Sequence, residues 1–381
     1  MGDLGDRTWI CMTGEQPMPN VLPPLAHGAR KAVFVHSDMA GSKRAAARCA
    51  AFFRRRGLAA DTCEVDAFDP GDIAAKATAL ARAEGVDRVV LNYTGGTKLM
   101  SLFAYEALFS LGVPCVYYDP RKGMLAGTGA FQPLPPHAPL DTEDFLLLNA
   151  GATVVKAKTP PAAPKSAAAL LAVFQRDAAA MNRYFTFRGQ SLLTLRTKKG
   201  WRPCTEPLPL PFSGEENEAI SRCMREERLV KPKADGFLPN ADGLAFLEGF
   251  WWESVVEGQL RRGLSACGVS PGTEDLRTNV TIQWDNGKTR NELDIVFTHN
   301  ERLFVVSCTT ASEAEVEKRR SQAEDLTDKL GGRMARTMVA CTQNRDILEK
   351  VSARKKDSCF MPHWTEIVQT PEEVVRALIG R

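Results

Sequence analysis

Two groups of residues in this sequence are equipped for chemistry, and they lie far apart in the chain. The first is Thr94, Gly95, Gly96, Thr97 and Lys98, inside the stretch VVLNYTGGTKLMS at 89–101. An apolar run of Val89, Val90 and Leu91 stops at a glycine pair, and Leu99, Met100, Leu102 and Phe103 then open an apolar helical pattern. That order sets backbone N–H groups, two hydroxyls and one ammonium at a helix N-terminus, where the dipole favours an anion. A phosphate or a ribose edge is the ligand such a turn takes, although a plain strand-to-helix turn capped by Thr97 uses the same residues. The second group is Glu292 and Asp294. Two apart on a strand, their carboxylates share one face and can bind a hard divalent cation. Glu253 is a third acid, on a helix where Glu257 lies one turn further on. Such acids more commonly face solvent.

The elements around the first group follow from hydrophobic patterning. Thr8–Thr13, Ala32–Val35, Cys63–Val65, Val89–Leu91 and Pro114–Tyr118 read as strands, separated by helical patterns near 44–56, 73–84 and 99–111. Strands alternating with helices predict a doubly wound parallel sheet, whose ligands sit beyond the carboxyl ends of the strands. Thr13–Gln16, His36-Ser37-Asp38 and Thr94–Lys98 should therefore converge on one rim, making Gln16, Ser37 and Asp38 further binding candidates. No GxGxxG follows the first strand and no GxxxxGK[ST] is present, so the two common nucleotide fingerprints are excluded.

Composition limits the remaining possibilities. The 381 residues are too many for one ordinary core. A hydrophobic fraction of 44% and a charged fraction of 25% are those of a globular protein, and no apolar stretch approaches the ~18 residues a bilayer span needs. The start, MGDLGDRTWICM, lacks the basic-then-apolar order of a secretory signal, so a cytoplasmic protein with no membrane partner is expected. Ten scattered cysteines without a CxxC pair fit a reducing compartment, and no His/Cys spacing predicts zinc. A net charge of +3 does not by itself point to nucleic acid.

The alanine- and proline-rich stretch around TPPAAPKSAAA marks a boundary, giving an expected division into residues 1–150, a linker and small module at 151–240, and a last domain at 241–381. The middle part carries helical patterns near 167–184 and 216–227 and a hairpin-like excursion at 235–247, an order with a winged-helix flavour. The last part reads as helix 247–264, strands 280–284, 291–298 and 302–308, helix 313–330, strand 338–341 and helix 346–353. A helix with Glu253, an acidic strand and a second strand ending in polar residues is also the order of metal-dependent nuclease cores.

Taken together, QPMPN at 16–20, LNYTGGTKLMSLFAYE at 91–106, FLEGFWWE at 246–253, NELDIVFTHNERLFVVSCTT at 291–310 and DLTDKLGG at 325–332 resemble the CRISPR-associated effector nucleases with a CARF sensor domain and a C-terminal PD-(D/E)xK nuclease domain. The resemblance implies a Rossmann-like CARF domain, a small middle module and a restriction-endonuclease-like α/β domain. It implies a homodimer that binds a cyclic oligoadenylate, often cyclic tetra-adenylate, across its two-fold axis and so activates Mg²⁺- or Mn²⁺-dependent cleavage of DNA or RNA. Thr94–Lys98 match the family's ligand-binding turn. Asp294 matches its first metal-binding acid, with Glu292 beside it and Glu253 as the helix acid.

One departure stands out. Where the family has ECKT, this chain has Ser307-Cys308-Thr309-Thr310. Ser307 replaces a metal-binding glutamate and Thr309 replaces a lysine, which removes an anionic ligand and a cation matched to developing phosphorane charge. Glu313, Glu315, Glu317 or Lys318 on the following helix could return a charge to the site. The alternative is a cyclic-oligoadenylate sensor whose nuclease domain binds a partner or nucleic acid without hydrolysis.

Overall fold

Uninterrupted runs of buried Val, Ile and Phe make strands covered on both faces, and in the first part of the chain they assemble as that pattern predicts. The computed structural model describes residues 4–119, 123–127, 132–135, 140–158, 164–197, 200–231, 237–269, 275–285, 287, 290–310, 313–331, 334–343, 345–353 and 359–380. The chain divides into two compact units, one of residues 1–154, 282–290 and 329–332 and one of the remainder. No described helix is long and apolar enough to cross a membrane.

The first unit runs β1 (Thr8–Met12), α1 (Met18–Ala26), β2 (Lys31–Ser37), α2 (Ala40–Arg55), β3 (Ala59–Val65), α3 (Pro70–Glu84), β4 (Val89–Asn92), α4 (Lys98–Phe109), β5 (Cys115–Asp119), β6 (Met124–Ala126), β7 (Gln132–Pro133) and α5 (Thr142–Phe145). Its sheet order is β3-β2-β1-β4-β5-β6-β7. β1 pairs in parallel with both β2 and β4, in registers Thr8↔Lys31 and Thr8↔Val89, so the direction of winding reverses between β1 and β4. A crevice is expected at such a switch point. The proline-rich QPMPNVLPPLA, which reads as a turn and an apolar segment, forms α1. Its early prolines occupy the first turn, where a backbone N–H is not needed. Asp69 caps α3 through the N–H groups of Gly71 and Asp72, fixing where that helix starts. Buried Asp144 accepts ion pairs from Arg55 and Arg56 and tethers α5 to α2.

The rest of the chain forms β8 (Thr153–Lys158), α6 (Lys165–Arg176), α7 (Ala178–Phe187), β9 (Arg196–Thr197), β10 (Gly200–Trp201), α8 (Gly214–Glu226), α9 (Ala241–Ala245), α10 (Trp251–Ala266), β11 (Arg277–Gln283), β12 (Arg290–His299), β13 (Arg302–Thr309), α11 (Glu313–Gly331), β14 (Ala335–Cys341), α12 (Arg345–Ala353), β15 (Cys359–Phe360), α13 (Trp364–Gln369) and α14 (Pro371–Ile379). The second sheet is mixed, in order β15-β14-β13-β12-β11-β8. β12 and β13 are antiparallel with Ile295 opposite Val306, and β13 and β14 are parallel. Trp252 Nε1 donates to the Ala340 carbonyl at 2.9 Å, pinning α10 to β14.

Two readings of the middle segment change. The stretch 235–247 does not continue as a hairpin: past a single bridge, Val230 to Pro239, Asn240 caps α9 through the Gly243 N–H at 2.9 Å, and a π-helical turn follows at Phe246–Phe250. Residues 235 and 236 lie outside the described residues. An asparagine cap outweighs the Gly/Pro turn signal there. The expected helix from Leu247 accordingly begins at Trp251. Leu170, Phe174, Tyr184, Ile220 and Met224 share one apolar cluster with Trp251, Trp252, Ile295 and Phe304. The Phe174 ring lies 5.3 Å from that of Trp251, and the Tyr184 hydroxyl donates to the Leu247 carbonyl.

Phe174 is 1% exposed within this cluster, so Phe174→Ala should cost about 3–5 kcal/mol of stability. Urea unfolding followed by tryptophan fluorescence measures it. A loss below about 1 kcal/mol would place the middle segment outside the shared core.

Candidate functional site

The glycine turn is held by its own side chains. A Cβ on Gly95 would lie 2.4 Å from the Met12 carbonyl oxygen and 3.2 Å from the Gly14 N, so only glycine lets the turn pass this close to the end of β1. Gly96 has φ +81°, the left-handed region glycine adopts without strain. The Thr97 hydroxyl caps α4 at the Met100 N–H (3.1 Å) and donates to the Ala67 carbonyl at 3.3 Å. The Thr94 hydroxyl donates to Asn92 Oδ1 at 2.6 Å and accepts from the Tyr118 N–H at 2.8 Å. Ser101 Oγ donates to the Gly95 carbonyl at 2.6 Å. These hydroxyls are thus engaged in holding the turn.

Beside the turn lies a cavity of about 420 Å³ lined by Thr94, Gly96, Lys98 and Ser101, with Leu102 and the rings of Tyr93, Tyr105 and Tyr117. The Tyr93 ring is 5.0 Å from Tyr105 and 5.8 Å from Tyr117. Burial, with Tyr105 beside it, pushes the Tyr93 phenol above its ordinary range and keeps it a donor. One ammonium next to a wall of aromatic rings suits a phosphate carrying a base. Gln16 and Asp38 are exposed on the same rim, after β1 and β2, and neither joins these lining residues. Ser37 is fully buried and its N–H is taken by Ser42 Oγ at 3.1 Å, which leaves it no surface to offer a ligand. The tyrosines were legible in part: Lys98, Ser101, Leu102 and Tyr105 fall at i, i+3, i+4 and i+7 on α4, one face of a helix.

Asp294, midway along β12, is bonded to the end of β13. Asp294 Oδ2 accepts the Cys308 N–H at 2.7 Å and the Ser307 hydroxyl at 3.3 Å. Burial pushes its carboxyl above the usual range, opposed by the Cys308 amide, the Arg319 guanidinium and the Ser307 hydroxyl, with Glu292 adding to the rise. Burial also holds the Cys308 thiol far above its ordinary value, reinforced by the Asp294 and Glu253 carboxylates. Asp294 and Glu253 are therefore both in electrostatic reach of Cys308, while Glu292 is exposed. Ser307 is a neutral donor to Asp294 where the family pattern has a glutamate, and Thr309 is buried.

Next to Thr309 and Thr310 lies a second cavity, of about 620 Å³, whose walls include Glu313, Glu315 and Arg319. Lys318 and Arg319 approach Glu315 at 3.8 and 3.9 Å. Arg319, absent from the expected set, is the cation whose charge Asp294 feels. Among the described residues no group of three or more His, Cys, Asp or Glu side chains could hold a metal ion. Two carboxylates are the protein share that Mg²⁺ commonly takes, water and substrate phosphate completing its shell, and Asp294 and Glu253, whose charges both reach Cys308, are the acids that would supply it here.

Family comparison ties the two sites together. Residues 8–128 match the Card1 CARF domain, and residues 241–361 match the Card1-like endonuclease domain. The chain is a CARF-domain effector with a Card1-like endonuclease domain. It resembles Can2 from Sulfobacillus thermosulfidooxidans, solved in complex with cyclic tetra-adenylate, at 18% identity and TM-score 0.72 over 98% of both chains. Protein VC1899 from Vibrio cholerae is similar at 18% identity and TM-score 0.75, again over 98% of both chains. A type III CRISPR defence DNA nuclease activated by cyclic oligoadenylate matches at 17% identity and TM-score 0.53, over 88% of this chain and 45% of that one. No curated protein matches the chain. At these identities the solved structures establish the fold; the CARF match contains the glycine turn and the endonuclease match contains Glu253, Asp294 and Ser307.

In the CARF domain, Gly95→Ala forces a methyl into the Met12 carbonyl and should lower stability by about 1–3 kcal/mol. Thermal unfolding reads this, and an unchanged midpoint would show that the turn can draw back from β1.

Proposed function

We propose that the chain is a cyclic-oligoadenylate-gated, metal-dependent nuclease acting on DNA, RNA or both, with Asp294 and Glu253 as its metal-binding acids. The observation that carries the reading is a domain matching an endonuclease over residues 241–361, in which the Cys308 amide holds Asp294 at 2.7 Å, on the same chain as an intact sensor turn. Can2 supports the choice of cyclic tetra-adenylate as messenger.

In the sensor, Lys98 takes phosphate charge while Tyr93, Tyr105 and Tyr117 offer rings to the bases. Leu102 (57% exposed), Phe109 (50%) and Tyr117 (39%) leave an apolar surface around the cavity, which a second copy would cover in a homodimer. A ring of adenylates touching both copies stabilises the arrangement that binds it best, and that preference gates the output.

In the nuclease, Asp294 and Glu253 would hold Mg²⁺ or Mn²⁺. The ion, when bound, supplies Lewis acidity and an activated water for phosphodiester hydrolysis. The Cys308 amide and Ser307 hydroxyl fix the Asp294 carboxylate and favour its charged form. Arg319 brings the positive charge for which Thr309 has no group. The second reading, a sensor without hydrolysis, is favoured by Ser307 and Thr309 themselves, since a serine is no anionic ligand and a threonine carries no charge.

Purified protein incubated with plasmid or single-stranded DNA or RNA, Mn²⁺ or Mg²⁺ and cyclic tetra-adenylate should cleave only when the messenger is present. Asp294→Ala should reduce the rate by at least a hundredfold, the scale of losing one preorganised electrostatic group. Absence of messenger-dependent cleavage under every combination leaves the silent-sensor reading. Metal binding has a readout of its own: Mn²⁺ should raise the thermal midpoint of the wild type and not that of Asp294→Asn, while in chelator the variant should be the more stable protein, because a buried carboxylate has been neutralised. Calorimetric titration of cyclic tetra-adenylate should show about tenfold or greater weakening in Lys98→Ala, and equal affinities would remove Lys98 from the pocket.

A further inference from the structure

The cavity beside Thr309 has a wall that the endonuclease match at 241–361 does not include. Phe185 reaches it from α7, Arg188 and Gly189 from the π-helical turn at Arg188–Leu192, and Leu193 from just after that turn. Such turns recur at functional sites, since they re-aim one side chain at the expense of regular helix bonding. Here the side chain is Arg188. Its Nη1 donates to the Thr310 carbonyl at 3.1 Å, one residue past the end of β13. Its Nε is buried and has no hydrogen-bond partner. A guanidinium carries five N–H donors in a planar fork shaped for a phosphate or carboxylate, and a buried donor left unpaired costs stability unless a ligand completes it.

The neighbours decide which anion. Thr310 Oγ1 donates to the Glu248 carbonyl at 3.2 Å, so the chain end that Arg188 grips is held from the second π-helical turn as well. Glu315 on the facing helix is approached by Lys318 and Arg319 and lies within the cavity rather than against Arg188 in an ion pair. Phe185 and the 43%-exposed Leu193 give the same wall an apolar surface. An arginine fork and an aromatic ring share this cavity with Thr309, the residue after the Cys308 whose amide bonds Asp294, an arrangement that fits the repeating phosphate and base of a nucleic-acid strand.

We propose that Arg188 holds a non-scissile phosphate of the strand whose neighbouring phosphodiester reaches Asp294. The middle segment then contributes to the nuclease by positioning substrate. This rests on the nuclease reading above and adds a binding role to a residue outside the acid cluster.

The test is binding without turnover. In the Asp294→Ala background, with chelator and cyclic tetra-adenylate, fluorescence anisotropy of a labelled single-stranded oligonucleotide should show Arg188→Gln weakening affinity about tenfold or more, with the slope of log affinity against log salt reduced by about 0.7. Arg188→Lys should recover part of the loss, because it keeps the charge without the fork. Arg183→Gln, which removes an exposed arginine paired to Asp177, should leave binding as it was. In the cleaving protein most of the Arg188→Gln defect should fall on KM rather than kcat. Unchanged affinity in Arg188→Gln overturns the proposal while cleavage by the wild type keeps the nuclease reading. A lowered thermal midpoint with an unaltered salt slope also overturns it, assigning Arg188 a structural role through Thr310. If the wild type neither cleaves nor binds any strand, the nuclease reading and this proposal fall together.

Discussion

The sensor unit depends on one missing methyl group. β1 and β4 pair in parallel as far as Cys11↔Asn92, and the chain leaving β4 passes against the Met12 carbonyl at Gly95. Everything nearby is arranged to keep the backbone there. Buried Asn92 donates to the Pro19 carbonyl at 2.8 Å and accepts from Thr94, so the end of β4, the first turn of α1 and the glycine turn are bonded through one side-chain amide. Thr97 and Ser101 close the other side. With its polar atoms engaged internally, the turn can meet a ligand through backbone and the neighbouring Lys98 without reorganising first, which is the condition under which an anion site binds with least entropic loss.

The endonuclease unit solves a different problem with the same economy. A carboxylate placed between two central strands must be kept charged if it is to serve a metal, and burial works against that. The Cys308 amide answers the burial with a short hydrogen bond from the adjacent strand, and Ser307 adds a second donor. The substitution that removes a metal-binding glutamate from the motif therefore leaves a group that stabilises the remaining aspartate. What is lost in ligand number is partly returned in orientation.

The layout of the first unit was legible because its strands are apolar runs of the right length and its helices have clear periodicity; the boundaries of β1, β4 and α4 fall within a few residues of those read from sequence. The role of the turn's hydroxyls was not. Sequence places Thr94 and Thr97 beside a ligand, but only the position of Tyr118 on β5 and Ala67 after β3 shows that both hydroxyls are occupied. Ser37 illustrates the same limit: it sits at a strand end where a ligand residue belongs, yet the approach of α2 buries it completely. The middle segment was the hardest part, because Asn240 starts a helix inside a Gly- and Pro-bearing stretch and because Leu170, Phe174 and Tyr184 find their partners in Trp251 and Trp252, far along the chain.

Arg319 marks where pattern reading meets its limit most directly. Thr309 stands where the family has a lysine, and among the residues at the start of α11 Lys318 is the replacement by type. Consecutive residues on a helix point about 100° apart, so only one of Lys318 and Arg319 can face the strand ends at a time. Both approach Glu315, but Lys318 is 62% exposed, whereas Arg319 lines the cavity with Thr309 and its charge reaches Asp294. An arginine cannot give up its proton in the physiological range, so a site built on it can stabilise charge or orient an oxyanion but cannot run through a neutral amine. On the reading proposed here, the arginine's share is therefore electrostatic.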